Sequence, residues 1–96
     1  MEFEWDEAKS ERNRRERGLP FDVAMALFDG PTVERRDRRR DYGEQRTIAT
    51  GAAEDRILTC VYVDRHQDSG MVRRIISLRP ASRKERRDYG DHTKAS

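Results

Sequence analysis

The stretch from Ile57 to Val63, Ile-Leu-Thr-Cys-Val-Tyr-Val, is the most apolar in the chain, and it is bracketed by Asp55-Arg56 and Asp64-Arg65. It is too short for a free-standing helix and rich in β-branched and aromatic residues, so it reads as a strand covered on both faces. Two weaker runs flank it. Arg46 to Thr50 alternates and ends at Gly51, and Met71 to Leu78 alternates over its whole length. The connectors Ala52–Asp55 and Arg65–Gly70 are short and polar. Such connectors join neighbours as hairpins, so the three runs predict an antiparallel meander with the apolar run in the middle.

The rest of the chain must cover that sheet. Met1 to Trp5 alternates, with Phe3 and Trp5 on one side and Glu2 and Glu4 on the other, as a short strand does. Asp6 is a helix cap, residues 7–17 are good helix formers, and Gly18 is a natural stop. That first helix has almost no apolar stripe, so one whole side faces water or a partner. Pro20 opens a second helix, in which Phe21, Ala24, Met25 and Phe28 fall on one face. Asp29-Gly30-Pro31 ends it. Residues 34–44 are nearly all charged and read as an exposed edge strand or loop. Ser82-Arg83-Lys84-Glu85 is a capping box that starts a last helix running to about Tyr89. The expected architecture is α+β: one domain over residues 1–90, with a frayed tail at 91–96. Its antiparallel sheet has three to four strands, packed on two N-terminal helices, with a C-terminal helix.

Composition narrows the class. Of 96 residues, 42% are charged and only 33% are hydrophobic, against roughly 25% charged in an average domain. A core this thin gives modest stability. No run approaches the roughly 18 apolar residues of a membrane span, and the acidic start lacks the basic and apolar regions of a signal peptide. One cysteine, Cys60, leaves no disulfide framework or multi-cysteine zinc site and fits a reduced cytoplasm. The net charge of +2 hides an asymmetry: residues 1–34 carry nine acids and five bases, whereas residues 35–96 carry ten acids and sixteen bases. Eighteen of the bases are arginine, whose planar fork grips phosphate with two donors.

Catalytic signatures are scarce. His66 and His92 lack partners at ligand spacing; Asp64, His66 and Asp68 cluster in a hairpin region that is ordinary turn chemistry, so neither a metal nor a cofactor is expected. Cys60 sits in the most apolar strand, where a thiol is inert packing. What stands out is arginine placement. By strict alternation, Arg73, Ile75, Ser77 and Arg79 share one face of their strand, while Val72, Arg74, Ile76 and Leu78 share the other. Residues 73–87 hold seven bases against the single acid Glu85. Arg73 and Arg79 on an open sheet face, beside a basic helix with Arg83, Lys84 and Arg86 and bordered by Arg46 and Arg65, form a plausible RNA-backbone surface. RNA supplies its own nucleophile, the 2′-hydroxyl, so a protein that orients it and stabilises the phosphorane needs no metal. Glu85, Lys9, Tyr62 and His66 are the candidate proton carriers, and the residues alone do not choose among them.

Two motifs then carry a resemblance. Phe3-x-Trp5-Asp6-x-x-Lys9-x-x-x-Asn13, followed by Gly18-x-x-Phe21-x-x-Ala24-x-x-x-Phe28-Asp29, resembles the opening signature of BrnT-type toxins. Ile75-Ile76-Ser77-x-Arg79-x-Ala81-Ser82-x-x-Glu85-Arg86-x-x-Tyr89 resembles the family's closing signature. Together they span about residues 3–89. The chain departs from the pattern at Glu16-Arg17-Gly18, where the family often has Lys-His-Gly, and at Leu78 and Pro80 beside Arg79. The resemblance implies a RelE-like toxin of a type II toxin–antitoxin system, a ribonuclease that inhibits translation. It implies a BrnA-like ribbon-helix-helix antitoxin, which alone contacts operator DNA, in an assembly of two toxins and two antitoxins. On that reading the catalytic candidates are Arg79, Arg65, Arg46, Lys9 and Glu85, with Arg73, Arg83, Lys84 and Arg86 binding RNA. Arg65 and Arg79 would stabilise the phosphorane, while Arg46 and Lys9 position the backbone. The alternative is a non-catalytic nucleic-acid-binding or protein-interaction module using the same basic surface.

Overall fold

The computed structural model describes residues 1–39, 41 and 43–94, with Lys94 through its backbone only. Arg40, in the charged segment, lies outside the described residues. The element order is β1 (Glu2–Trp5), α1 (Glu7–Arg17), α2 (Val23–Asp29), β2 (Thr32–Arg36), β3 (Thr47–Ala53), β4 (Arg56–Gln67), β5 (Gly70–Pro80) and α3 (Arg83–Lys94). The strands form one sheet in the order β1-β5-β4-β3-β2. The meander of β3, β4 and β5 is antiparallel as expected, but the sheet has five strands and is mixed. The expected antiparallel sheet of three to four strands is therefore corrected. Residues Thr32–Arg36, the last three of them charged, pair with β3 as one edge, and β1 adds to β5 in parallel as the other.

A β-bulge in β5 decides which side chains share a face. Val61 pairs with Ser77, but the next residue, Tyr62, pairs with Ile75, so Ile76 is an extra residue. Ile75 and Leu78, three apart, consequently both point into the core. That core face carries Trp5, Phe3, Ala49, Leu58, Cys60 and Tyr62, covered by Leu19, Phe21, Val23, Ala24 and Leu27 from the α2 region. At Gly51 α2 packs tightly on the sheet: a Cβ there would lie 3.1 Å from Leu27 and 3.2 Å from Thr32. α3 lies over the opposite face, where its Glu85 reaches Thr59.

Several local expectations hold. Asp6 caps α1 by accepting from the N–H groups of Ala8 and Lys9 at 2.9 and 3.2 Å. Gly18 closes it in the left-handed region with φ of 69°. Ser82 and Glu85 form the reciprocal capping box, with bonds of 3.1 and 2.8 Å. Others do not. Pro20 begins a tight turn rather than the helix, which starts at Val23. Met25, expected on the buried stripe, is 42% exposed, and Leu27 takes its place in the core. The last helix continues past Gly90 to Lys94, so the tail expected to fray from 91 is helical that far; residues 95 and 96 lie outside the description.

α1 is attached in an unusual way. Only Ser10 and Asn13 are buried along it. The Ser10 hydroxyl accepts from the N–H of Phe21 at 2.8 Å. The Asn13 amide nitrogen donates to the carbonyls of Leu19 at 2.7 Å and Leu78 at 2.9 Å. Leu78 lies in β5 beyond the four residues paired with β1, so Asn13 fills the edge that β1 leaves open. Asn13→Ala removes both bonds and leaves two buried carbonyls to be resolvated, which costs about 1–3 kcal/mol. Chemical denaturation should show a loss of that size. A variant as stable as the parent would mean that α1 is held by something else.

Candidate active site

Beside α1 lies a cleft of about 330 Å³ lined by Lys9, Arg12, Asn13, Glu16, Arg17, Phe21, Arg39, Arg46, Val61, Ile76 and Ser77. Its origin is local. α1 has no apolar face to press onto the sheet, so it stands off from it, tied by Asn13, and leaves a groove. The floor is the bulge region, Val61 with Ile76 and Ser77. Five bases line the groove against one acid, Glu16. Arg39 chelates the buried Asp37 at 2.8 and 2.7 Å, and the Asp37 N–H donates to the Arg46 carbonyl at 2.9 Å, which anchors that wall to β3. Arg17 donates to Asn13 at 3.3 Å and to the Leu78 carbonyl at 3.4 Å.

Next to the floor is a buried carboxylate. Glu85 Oε1 accepts from Arg79 Nη1 at 2.7 Å, the Ser82 N–H at 2.8 Å and the Thr59 hydroxyl at 3.0 Å. Its Oε2 accepts from Arg79 Nη2 at 3.0 Å and Arg35 Nη2 at 3.1 Å. Burial pushes this carboxyl up, but the bonds from Arg79, Ser82 and Arg35 outweigh burial and hold it well below the usual carboxylate range. Five donors on about four lone-pair sites leave no capacity to take a proton. Glu85 is thus an anchor for two arginines, and the geometry opposes the proton-carrier role open to it from the sequence.

The predicted site residues divide into separate places. Lys9 and Arg46 share the cleft. Arg79 lies two residues along β5 from Ser77 on the same face and is paired with Glu85, outside the residues that line the cleft. Arg65 does not. It sits on β4 six residues from Thr59, the partner of Arg79, which is roughly 20 Å along a strand, and it pairs with Glu44 at 3.2 Å and Glu4 at 3.9 Å. Arg65 and Arg79 therefore cannot grip one phosphorane together. Arg73 is also corrected: the bulge turns it to the core face, where its side chain is 14% exposed. It chelates Asp64 at 2.8 and 2.9 Å and stacks over Tyr62 at 4.0 Å and Phe28 at 4.6 Å. Arg83, Lys84 and Arg86 are exposed along α3, with Lys84 paired to Asp88 at 3.1 Å. Arg12, Glu16 and Arg39, which line the cleft, and Arg35 on Glu85 were not among the predicted site residues, and Arg17 was noted only where the family often has histidine; the polar helix was the one available signal for Arg12 and Glu16.

Other candidates fall away from the cleft. Burial and a bond to Glu34 push the Tyr62 hydroxyl up to about 12, and it lies on the core face. His66 is exposed near the end of β4, and His92 bonds the Asp88 carbonyl at 3.0 Å. The Cys60 thiol is pushed up to about 12 by burial, as inert packing requires. Among the described residues, no three His, Cys, Asp or Glu side chains are grouped to hold a metal ion, and no helix is long and apolar enough to cross a membrane.

A cleft in a small α+β domain lined by five bases and one acid attracts anions. Compared with models of known families, residues 5–85 match the ribonuclease toxin BrnT of type II toxin–antitoxin systems. The match covers most of the chain, which therefore belongs to the BrnT family: it is the toxin component of such a system, a ribonuclease whose partner is a protein antitoxin. A search of curated proteins finds no match.

Glu85 gives the site a pH signature. Its folded pKa is depressed, so its contribution is whole above the unfolded value of about 4.3 and is lost as the pH falls below that value. Glu85→Gln should lower stability at pH 7 by about 2 kcal/mol and flatten the loss of stability between about pH 5 and pH 2. Parallel pH profiles for the two proteins would show that Glu85 carries no such linkage.

Proposed function

We propose that the cleft beside α1 binds the RNA backbone and cuts it without a metal, by attack of the 2′-hydroxyl on the adjoining phosphorus. The observation that carries this reading is the convergence of Lys9, Arg12, Arg17, Arg39 and Arg46 on one groove with a single acid. Such a groove attracts a polyanion and repels a free divalent cation. Arg65, Arg73 and Arg74 elsewhere on the sheet face carboxylates within 4 Å, and within the cleft Arg39 is likewise paired, with Asp37. In the proposed reaction, Arg46 and Arg12 hold the scissile phosphate and stabilise the charge that gathers on its non-bridging oxygens. The new P–O2′ bond forms as the P–O5′ bond breaks, leaving a 2′,3′-cyclic phosphate and a 5′-hydroxyl. Glu16 accepts the 2′-proton and Lys9 donates one to the departing oxygen. Arg79, held by Glu85, borders the site; Arg83, Lys84 and Arg86 extend the basic track along α3.

The finer picture of the complex is part of the same proposal. The fold is read as a RelE-like domain acting in the cytoplasm, its catalytic unit confined to residues 1–90. It is neutralised by a BrnA-like ribbon-helix-helix antitoxin in an assembly of two toxins and two antitoxins.

Purified protein should cleave RNA in excess chelator, leave cyclic phosphate ends and spare 2′-deoxy substrates. Lys9→Ala and Arg46→Ala should each lower kcat by about 10²–10³-fold, with thermal melts close to the parent. Cleavage abolished by chelator, or products ending in a 3′-hydroxyl, would contradict the mechanism.

A further inference from the structure

We infer that Arg35 and Arg79, clasped on Glu85, form a second phosphate subsite that holds the backbone phosphate next to the one being cut. The inference rests on the cleft being the RNA site and extends it to a residue, Arg35 on β2, that neither motif contains. Both Nη2 atoms bond the same Glu85 oxygen, so the two forks lie within about 6 Å of each other. Two guanidinium groups on one carboxylate leave a net charge of +1. Their side chains remain 55% and 36% exposed, while that of Glu85 is 6% exposed, so the positive side of the cluster faces solvent.

The donors left over are what a phosphate needs. Arg35 uses Nη2 alone, on Glu85. Arg79 uses Nη1 on Glu85 and the Pro80 carbonyl and Nη2 on Glu85. Each guanidinium carries five N–H groups, so Arg35 keeps four and Arg79 two that no bond among the described residues uses. Glu85 fixes both forks in advance, which removes much of the ordering cost that free arginine side chains incur on binding an anion.

Position links the cluster to the cleft. Ser77 lines the cleft floor, and Arg79 is two residues further along β5, about 6.6 Å. Arg35 pairs with Ile48, Ile48 with Val61, and Val61 with Ser77, so one row across the sheet joins Arg35 to the floor. The roughly 6.6 Å from Ser77 to Arg79 suits a single nucleotide step for a strand whose scissile phosphate lies over the cleft floor. The subsite therefore takes a phosphodiester of the same strand.

The test compares 2′-deoxy-substituted dinucleotide and tetranucleotide probes by fluorescence anisotropy across a salt series. The parent should bind the tetranucleotide at least tenfold more tightly, with a salt slope steeper by about 0.7 for the added phosphate contact. Arg35→Ala should abolish both differences and leave dinucleotide affinity unchanged. Arg35→Gln, which keeps a donor for Glu85 but removes the charge, should do the same and guards against a folding defect. An equal loss on both probes would assign Arg35 a structural role only, and no loss on either would remove it from RNA binding. Each result overturns the subsite. If neither probe binds the parent, the reading of the cleft itself fails, which is a different outcome.

Discussion

The buried carboxylate of Glu85 is the interaction on which the site depends. It ties together β2 through Arg35, β4 through Thr59, β5 through Arg79 and the start of α3 through the Ser82 N–H. Burying one charge is expensive unless it is paired and fully hydrogen-bonded. Here every lone pair is engaged, and the cost is offset by contacts from four elements. The consequence is conformational. Both arginines are fixed in place on Glu85 with part of each side chain facing solvent.

That groove follows from a second constraint, the lack of apolar residues on α1. A helix without a hydrophobic stripe cannot be seated by burial, so hydrogen bonds from Ser10 and Asn13 seat it instead. Four of its charged side chains, Lys9, Arg12, Glu16 and Arg17, line the groove. Acidic and basic residues are then sorted by place rather than by number. Arg65, Arg73 and Arg74 meet Glu4, Glu44 and Asp64 on and around the sheet, whereas the cleft gathers five bases with Glu16, one of them, Arg39, paired with Asp37 behind the wall. A net charge of +2 is compatible with a strongly cationic cleft for this reason.

Local signals in the chain were legible. The Asp6 cap, the Gly18 stop, the capping box at Ser82 and the three-strand meander each depend on residues close in sequence, and each appears. Long-range features left no trace. The parallel pairing of β1 with β5 joins segments about seventy residues apart, and no local pattern encodes it. The bulge at Ile76 falls in Ile-Ile-Ser, which fits either face of a strand, so strict alternation placed Arg73 beside Arg79. Its actual place, stacked on Tyr62 and Phe28, shows a guanidinium behaving as a flat apolar surface with a paired edge. Of the residues the proposal uses, Lys9, Arg46 and Arg79 were already candidates in the sequence. Arg35 was not, because its link to Glu85 spans fifty residues.

The central claim is that RNA lies between α1 and the bulged part of the sheet. The most direct measurement is an NMR titration of the labelled protein with a 2′-deoxy-substituted oligonucleotide that cannot be cut. The account predicts the largest amide shifts at Lys9, Arg12, Arg46 and Ser77, with little change at Arg65 and Arg73. The largest shifts at Arg65 and Arg73, with Lys9 and Ser77 unmoved, would contradict it.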